Sequence, residues 1–193
     1  SIYMCNAPGS TDAGTEPLRN AGIERARSLL RDSGYNNEPV ILLHAQTSAL
    51  LNPIGMVVAD QMRRAGFNVE MLSSDYATVA QRRLRRTGWA VAPIVNNGID
   101  LLNPIANPLV AFNCSDVAPG WYCDPRLTEL LRQYAASGDA RQQRELAAQI
   151  QAEMHGHVNY VLAGQFSGPP AWRASLTGVV PFSFPVFWNM ERR

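Results

Sequence analysis

Strand-like and helix-like patterns alternate along the first half of the chain, and this alternation restricts the possible folds more than any other sequence feature. Residues 39–45 form a compact apolar run typical of a buried strand, and a helical pattern follows over residues 50–65 until Gly66. Residues 67–72 alternate as a second strand, and residues 89–95 form a third strand-like run after a further helix. The pattern predicts a mostly parallel sheet flanked by helices, which is an α/β fold.

The second half of the chain has a different organisation. Residues 96–124 contain two Asn-Pro pairs and a Pro-Gly pair, which predict an irregular excursion with one short helical turn. Residues 125–136 and 140–155 predict an αα-hairpin, because each pattern follows an Asp that can cap a helix. Residues 160–164 predict one more strand, and the chain beyond Gly168 is a tail rich in proline and aromatic residues.

Composition excludes several classes of function. The chain has 193 residues, of which 46% are hydrophobic, so it can bury one sizeable core or two small ones. The 17 basic residues are all arginine and nearly balance the 16 acidic ones, which argues against a nucleic-acid partner or an anionic-membrane surface. The absence of lysine excludes Schiff-base and P-loop lysine chemistry. The one charge cluster, residues 82–86, is interpreted as a solvated helix face with Leu84 turned inward.

Catalytic and metal-binding patterns are sparse. His44 ends the first predicted strand and Ser48 follows four residues later, so a base and a nucleophile could meet there. A small serine-type hydrolase that uses this pair is the alternative function, although the chain has no Gly-x-Ser-x-Gly turn. His155 and His157 point apart on a helix and make a poor chelate. We expect no metal and no cofactor, since the chain also has no Gly-rich phosphate loop.

The three cysteines leave two interpretations open. Cys114 and Cys123 flank the turn-rich residues 115–120, which is compatible with a local disulfide and equally with two separate small core residues. A disulfide would indicate an oxidising compartment. The sequence assigns no role to Cys5.

Seven segments together resemble one family of transport proteins. They are AGIERARSLLRDSGY (residues 21–35), VVADQMRRAGFNVEML (57–72), Thr87-Gly88-Trp89, the stretch from Gly120-Trp121-Tyr122-Cys123-Asp124-Pro125 to Leu130, residues 139–154, residues 160–166 and PVFWN (185–189). Their order resembles the C-terminal lobe of the peptide/nickel-type (family 5) extracellular solute-binding proteins of ABC importers. The resemblance spans nearly the whole chain.

This resemblance implies a periplasmic-binding-protein-like (type II) lobe and no catalysis. Such a protein captures a solute, often a peptide, by hinge closure in the periplasm or outside the cell and delivers it to a membrane permease. Residues 1–20 are expected to form a linker or inter-lobe segment, residues 21–174 the ligand-binding lobe, and residues 175–193 a segment that packs on the N-terminal lobe of the same parent protein. The chain would then be a fragment that self-associates through its apolar tail or leaves the tail disordered.

The resemblance also implies site residues. The ligand-facing residues are expected to be Trp89, Val91, Ile94, Asn96 and Asn97. A carboxylate that holds the free amino group in dipeptide-binding members has no counterpart in residues 90–94, which argues against a dipeptide ligand. Members of that branch carry a disulfide in the corresponding loop, which implies a bond between Cys114 and Cys123. A stand-alone interaction domain that docks through its tail is a third possible class of function.

Overall fold

A strand, a helix and a second strand form the centre of the fold, as the sequence predicts. The structure is a computed structural model that describes residues 1–116, 118–182 and 186–193. In chain order the helices are α1 (Glu16–Arg19), α2 (Ile23–Asp32), α3 (Leu51–Ala65), α4 (Tyr76–Arg83), α5 (Pro108–Ala111), α6 (Pro125–Ala136) and α7 (Ala140–His157), with a 3-10 turn at Gly98–Leu101; the strands are β1 (Val40–Ala45), β2 (Val69–Ser74), β3 (Leu176–Thr177) and β4 (Glu191–Arg192).

The first two strands are parallel, and a helix connects them. β1 pairs with β2 in a register that sets Val40 opposite Val69 and Ala45 opposite Ser74. α3 lies between them in the chain and ends at Gly66, whose φ of 110° is left-handed. Glycine adopts this conformation readily because it has no Cβ. The predicted strand–helix–strand unit is confirmed.

Both faces of β1 are covered, which is why its residues are almost uniformly apolar. Leu42 packs with Ala59 of α3. Leu43, on the other face of the sheet, packs with Val79 of α4. Successive side chains of a strand point to opposite faces, so the two helices cover opposite sides of the sheet. A parallel sheet flanked by helices is therefore confirmed.

The third predicted strand is much shorter than residues 89–95. Only Val91 forms a bridge, parallel to Leu42. The Leu43 backbone N–H donates to the Val91 carbonyl oxygen at 2.9 Å, and the Val91 N–H donates to the Ile41 oxygen at 3.1 Å. Pro93 follows two residues later and has no N–H to donate, so the ladder cannot continue in the same way.

Contacts divide the chain into two units. The sheet unit consists of Gly14–Asn96 and Phe112–Thr128, and the terminal unit consists of Ser1–Ala13, Asn97–Ala111 and Glu129–Arg193. In the terminal unit, β3 and β4 pair antiparallel. Among the described residues, no helix is long and apolar enough to cross a membrane.

A buried glutamine joins the first 13 residues to α7 within the terminal unit. The Gln151 side chain is fully buried, and its Oε1 accepts hydrogen bonds from the Ser1 hydroxyl at 2.7 Å and the Ile2 N–H at 3.2 Å. Its Nε2 donates to the carbonyl oxygens of Thr11 and Ala13, both at 2.8 Å. Every polar atom of this amide is therefore paired with the N-terminal segment.

Three sequence predictions about local structure are wrong. Residues 160–164 form no strand, and Val161 is 81% exposed, because no neighbouring strand offers a ladder to this stretch of the described chain. The excursion after residue 96 contains a 3-10 turn and α5 rather than one helical turn. Leu84 is 62% exposed rather than turned inward, because α4 ends at Arg83.

Both helices of the predicted hairpin are present, as α6 and α7. The Asp139 carboxylate accepts a hydrogen bond from the Gln142 N–H at 2.7 Å and caps α7 as expected. Parts of two sequence motifs lie outside the described residues. They are Val117, in the loop between the two cysteines, and Ser183, Phe184 and Pro185 in the tail.

Candidate ligand site

The carboxyl ends of β1 and β2 meet at one edge of the sheet, where ligands of parallel α/β folds bind. Two hydrogen bonds join the segments that leave these strands. The Gln46 N–H donates to the Ser74 carbonyl oxygen at 3.0 Å, and the Tyr76 N–H donates to the Thr47 hydroxyl at 3.2 Å. The structure thus brings residues 44–48 and 72–75 together, as the predicted topology requires.

Two helices begin at this edge, and side chains of the edge accept hydrogen bonds from their first turns. The Ser48 hydroxyl accepts from the Leu51 N–H at 3.2 Å at the start of α3. The Asp75 carboxylate accepts from the Thr78 hydroxyl at 2.6 Å and from the Thr78 N–H at 2.9 Å at the start of α4. These two bonds, the hydroxyl first, lower the pKa of Asp75 below its ordinary value. The edge therefore carries a fixed carboxylate and a hydroxyl.

His44 lies beneath the edge with both ring nitrogens occupied. Its side chain is 7% exposed, Nδ1 lies 2.8 Å from the Ser73 hydroxyl, and Nε2 lies 2.8 Å from Asn52 Oδ1. An amide oxygen only accepts, so Nε2 carries the proton and Nδ1 accepts from Ser73. Gly55 of α3 packs directly against the ring, since a Cβ at this position would lie 2.8 Å from His44 Cδ2.

The structure does not form the hydrolase pair. The His44 nitrogens are paired with Ser73 and Asn52, and the Ser48 hydroxyl accepts from the Leu51 N–H. A general base needs a free lone pair within reach of the nucleophile. The alternative function based on His44 and Ser48 therefore has no support in the geometry.

Two of the expected ligand-facing residues pack in the protein. Val91 packs against the core cluster that includes Leu42, and Trp89 packs against the cluster that includes Leu43. Trp89 precedes the bridge by two residues, and the cluster on which it packs also includes Ala45 at the carboxyl end of β1 and Leu51 at the start of α3.

The other three expected residues follow the bridge. Ile94 and Asn96 are half-buried and belong to the sheet unit, on the side of Val91 toward which β1 runs. Asn97 is exposed, belongs to the terminal unit, and accepts from the Asp100 N–H at 3.1 Å at the start of the 3-10 turn. The predicted set of five is thus distributed over different places in the fold.

A cluster of side chains that the sequence reasoning did not find surrounds Trp121. The ring centroids of Trp121 and Trp89 are 6.0 Å apart, and the Arg86 guanidinium carbon lies 5.3 Å from the Trp121 ring. Arg86 also pairs with Asp116 at 2.8 Å. The disulfide between Cys114 and Cys123 closes the loop that carries Trp121, which confirms the expected bond. The motif that contains Trp121 was noted, but spacing alone does not show what a loop residue contacts.

Solved structures with a similar fold identify the fold class of the chain. No protein-family model matches the chain. The dipeptide binding protein from Pseudoalteromonas sp. SM9913, solved in complex with Met-Leu, superimposes with a TM-score of 0.70 at 15% identity, over 100% of this chain and 39% of that one. NikA from Staphylococcus aureus, in complex with Ni(L-His)2, superimposes with a TM-score of 0.61 at 18% identity, over 72% of this chain and 30% of that one. The chain has the fold of a type II periplasmic-binding-protein lobe.

A sequence relative agrees with the fold. A probable peptide ABC transporter periplasmic-binding protein from Sinorhizobium fredii is 26% identical to the chain over 198 residues. The match covers 100% of this chain but only 37% of that protein, so the chain spans little more than a third of the relative's length. The resemblance to peptide/nickel-type solute-binding proteins, expected from the motifs, is confirmed.

Proposed function

We propose that the chain is the C-terminal lobe of the solute-binding component of an ABC importer, and that its solute is a peptide or peptide-like molecule. The observation that carries this proposal is the match of the entire chain to part of a probable peptide ABC transporter periplasmic-binding protein. A lobe of this kind supplies one wall of a cleft, and hinge closure against a second lobe encloses the solute. The function is capture and delivery to a membrane permease, without catalysis.

The proposed compartment is the periplasm or the cell exterior. The disulfide between Cys114 and Cys123 supports it, since such bonds persist in oxidising environments. The exposure of both cysteines would make the bond vulnerable in a reducing cytosol. The name of the Sinorhizobium relative points to the same compartment.

The proposed ligand contacts are Ile94 and Asn96, which follow the bridge to β1, together with the edge formed by Thr47 and Asp75. Ile94 offers apolar surface and Asn96 offers an amide that can both donate and accept, as the backbone of a peptide requires. Asp75 offers a negative charge for a free amino group, because its pKa is lowered by the hydrogen bonds from Thr78. Trp89 and Val91 have a packing role in this proposal.

The tail is proposed to pack on the second lobe of the parent protein. Phe187 and Trp188 are 72% and 84% exposed, which is unusual for large apolar residues and typical of a surface with a partner. Residues 175–193 would form this contact, residues 1–20 would connect the lobes, and residues 21–174 would hold the ligand wall.

The test is native mass spectrometry of the full-length parent and of this chain, purified from the same host and then gently unfolded. A peptide released from the parent, and much less or none from this chain, is the expected result, since half of the cleft is missing here. The Asn96→Ala variant of the parent should bind that peptide more weakly, whereas Asn36→Ala, at an exposed position outside the site, should not. A parent that never carries or binds a solute would contradict the proposal.

A further inference from the structure

One long side of β2 has no neighbouring strand in the part of the chain that the structure describes. β2 pairs with β1, and the other side of β1 carries the bridge at Val91, so β2 is the outermost strand. We call this outer side of β2, over residues 69–73, the free side. A free side of this kind presents N–H and C=O groups to which a strand of another chain can bond.

Hydrogen bonds to the segment of β1 show which backbone groups lie on the free side. The Asn68 carbonyl oxygen accepts from the Val40 N–H at 2.8 Å, and the Ser74 oxygen accepts from the Gln46 N–H at 3.0 Å. The even-numbered residues of β2 therefore turn their backbone groups toward β1. Backbone groups point alternately to the two sides of a strand, so those of the odd-numbered residues point away from β1. These residues are Val69, Met71 and Ser73.

The side chain of Arg63 covers the first part of the free side. Arg63 lies in the last turn of α3, and its Nη2 donates to the Val69 carbonyl oxygen at 2.9 Å. Its Nη1 lies 4.0 Å from the Met71 sulfur, so the guanidinium extends from one outward-pointing residue to the next. A second strand would have to displace this charged group from the Val69 oxygen and would bury it beside the sheet.

The rest of the free side is open to solvent. The outward N–H and C=O groups of Met71 and Ser73 have no hydrogen-bond partner among the described residues. Glu70, Leu72 and Ser73 are all exposed. Arg63 is therefore the described side chain that bonds to the backbone on this side of β2.

The pattern of the free side fits the same strand of a second copy. In antiparallel pairing centred on Met71, the outward groups of Val69 meet those of Ser73 in the other copy, and the two Met71 residues meet each other. Glu70 then lies opposite Leu72 of the other copy, so no like charges face each other across the two strands.

We propose that the free side of β2 is a pairing surface for the same strand of a second copy, and that Arg63 keeps this surface closed. In the wild-type chain the guanidinium occupies the Val69 oxygen. Without it, the outward donors and acceptors would form a continuous row from Val69 to Ser73. This surface belongs to the sheet unit, whereas the exposed side chains of Phe187 and Trp188 belong to the terminal unit.

The test uses the full chain with Phe187→Ser/Trp188→Ser, so that association through the tail does not obscure the result. In this background Arg63→Ala should convert monomer to dimer as the concentration rises, as measured by sedimentation velocity. Arg64→Ala is the matched control, because it removes the same charge from the same turn of α3. The Arg64 side chain lies near Asp60, at 4.0 Å, and this variant should remain monomeric.

Amide hydrogen exchange locates the contact between the copies. In the Arg63→Ala dimer the amides of Met71 and Ser73 should exchange more slowly than in the monomer, because each donates to the second copy. Adding Met71→Pro removes an outward N–H that β1 does not use, and should restore the monomer.

Three outcomes would overturn the proposal. They are a folded Arg63→Ala variant that stays monomeric, a dimer whose Met71 and Ser73 amides exchange as fast as in the monomer, and dimers of both Arg63→Ala and Arg64→Ala, which would show an effect of net charge. Should Arg63→Ala fail to fold, Arg63→Gln, which also lacks the charge, takes its place. Should Met71→Pro fail to fold, the exchange measurement decides alone.

Discussion

A single histidine connects three elements at the candidate site. His44 belongs to β1, Ser73 to β2 and Asn52 to α3, and the ring bonds to both partners at 2.8 Å. A buried imidazole whose two nitrogens are both hydrogen-bonded is compatible with a stable fold, whereas a buried nitrogen without a partner lowers the free energy of unfolding. We therefore interpret His44 as the residue that fixes the relative position of the two strand ends and the first turn of α3.

The contact between Gly55 and this histidine gives the first prediction. Alanine usually stabilises a helix interior by about 1 kcal/mol relative to glycine. At residue 55 the new Cβ would lie 2.8 Å from His44 Cδ2, and two hydrogen bonds restrain that ring, so we expect Gly55→Ala to destabilise the chain by roughly 1–3 kcal/mol. Urea denaturation measures the difference.

Gly156→Ala is the matched control. Gly156 lies in α7, and nothing lies within 4 Å of the position where its Cβ would be. This substitution should be neutral or stabilising. Equal stability of the Gly55→Ala variant and the wild type would show that the ring of His44 moves aside freely.

Tyr3 gives a prediction about alkaline pH. Its side chain is fully buried and its hydroxyl donates to the Ala147 carbonyl oxygen at 3.0 Å. Burial, and to a lesser degree the charge of Tyr134, raises the pKa of Tyr3 above the ordinary value of 10.0. The stability that the neutral hydroxyl contributes is complete below about pH 10 and is lost as the pH rises further, because the unfolded chain releases the proton more easily.

We expect Tyr3→Phe to be about 1 kcal/mol less stable than the wild type at neutral pH, since it loses one hydrogen bond. The difference should shrink above about pH 10. There the unfolded wild type releases the Tyr3 proton while the folded wild type keeps it, which lowers the stability of the wild type but not that of the variant. Urea midpoints measured from neutral to alkaline pH test this. Tyr76→Phe, at a tyrosine that is 53% exposed, is the control and should follow the wild type. A constant difference at every pH would contradict the prediction.

At the scale of elements, Asp75 makes the start of α4 sensitive to acid. Hydrogen bonds from Thr78 lower the pKa of its carboxyl, so the ionised cap stabilises the folded chain above the unfolded pKa of about 3.9. That stabilisation is lost as the pH falls through the folded pKa. Asp75→Asn keeps a side chain that can cap but removes the titration.

The wild type should therefore lose stability relative to Asp75→Asn between about pH 5 and pH 3. Thermal unfolding across this range measures the difference. Asp32→Asn removes another exposed carboxylate and should leave the acid dependence of the wild type unchanged. The prediction fails if the curves of the wild type and Asp75→Asn remain parallel.

The sequence could predict those elements whose patterns are local. β1, α3 and β2 are adjacent in the chain and bury their own apolar residues against one another, so periodicity and Gly66 suffice to define them. The third strand depends on a ladder that Pro93 interrupts, and residues 160–164 depend on a neighbour that local patterns do not encode. Tertiary pairing overrides local propensity in both cases.

The candidate site, too, could be predicted from the sequence only where it depends on local patterns and topology. The edge after His44 follows from topology alone, and the structure reproduces it. The partners of His44 and the docking of Trp121 depend on side-chain directions and on a loop with positive φ, which residue spacing does not specify. The assignment of Trp89 to the ligand site rests on a motif and stays a prediction; in the structure its side chain packs beside Leu43 and Val79.

At the scale of the whole molecule, the exposed tail is the clearest feature. We expect the chain to self-associate with rising concentration, because Phe187 and Trp188 are 72% and 84% exposed and adjacent exposed apolar side chains favour association. Sedimentation velocity over a range of concentrations measures this. Phe187→Ser/Trp188→Ser should remain monomeric.

Val57→Ser is the control for that experiment. Val57 is 55% exposed on α3, so its substitution removes exposed apolar surface of a different part of the chain. It should leave the association unchanged. A wild-type chain that stays monomeric at every concentration would contradict the expected role of the tail.

The hydrogen bonds between Gln151 and the first 13 residues hold that segment in the way a protein holds a bound peptide. The buried amide accepts two hydrogen bonds from that segment and donates two to it, and together with the buried ring of Tyr3 they hold the segment on α7. A chain shortened to begin at Gly14 would lose these four hydrogen bonds and the buried Tyr3 ring, and the Gln151 amide would bond to water instead. A synthetic peptide of residues 1–13 should then restore the shortened chain in trans, so the lobe is a natural starting point for a split-protein reporter.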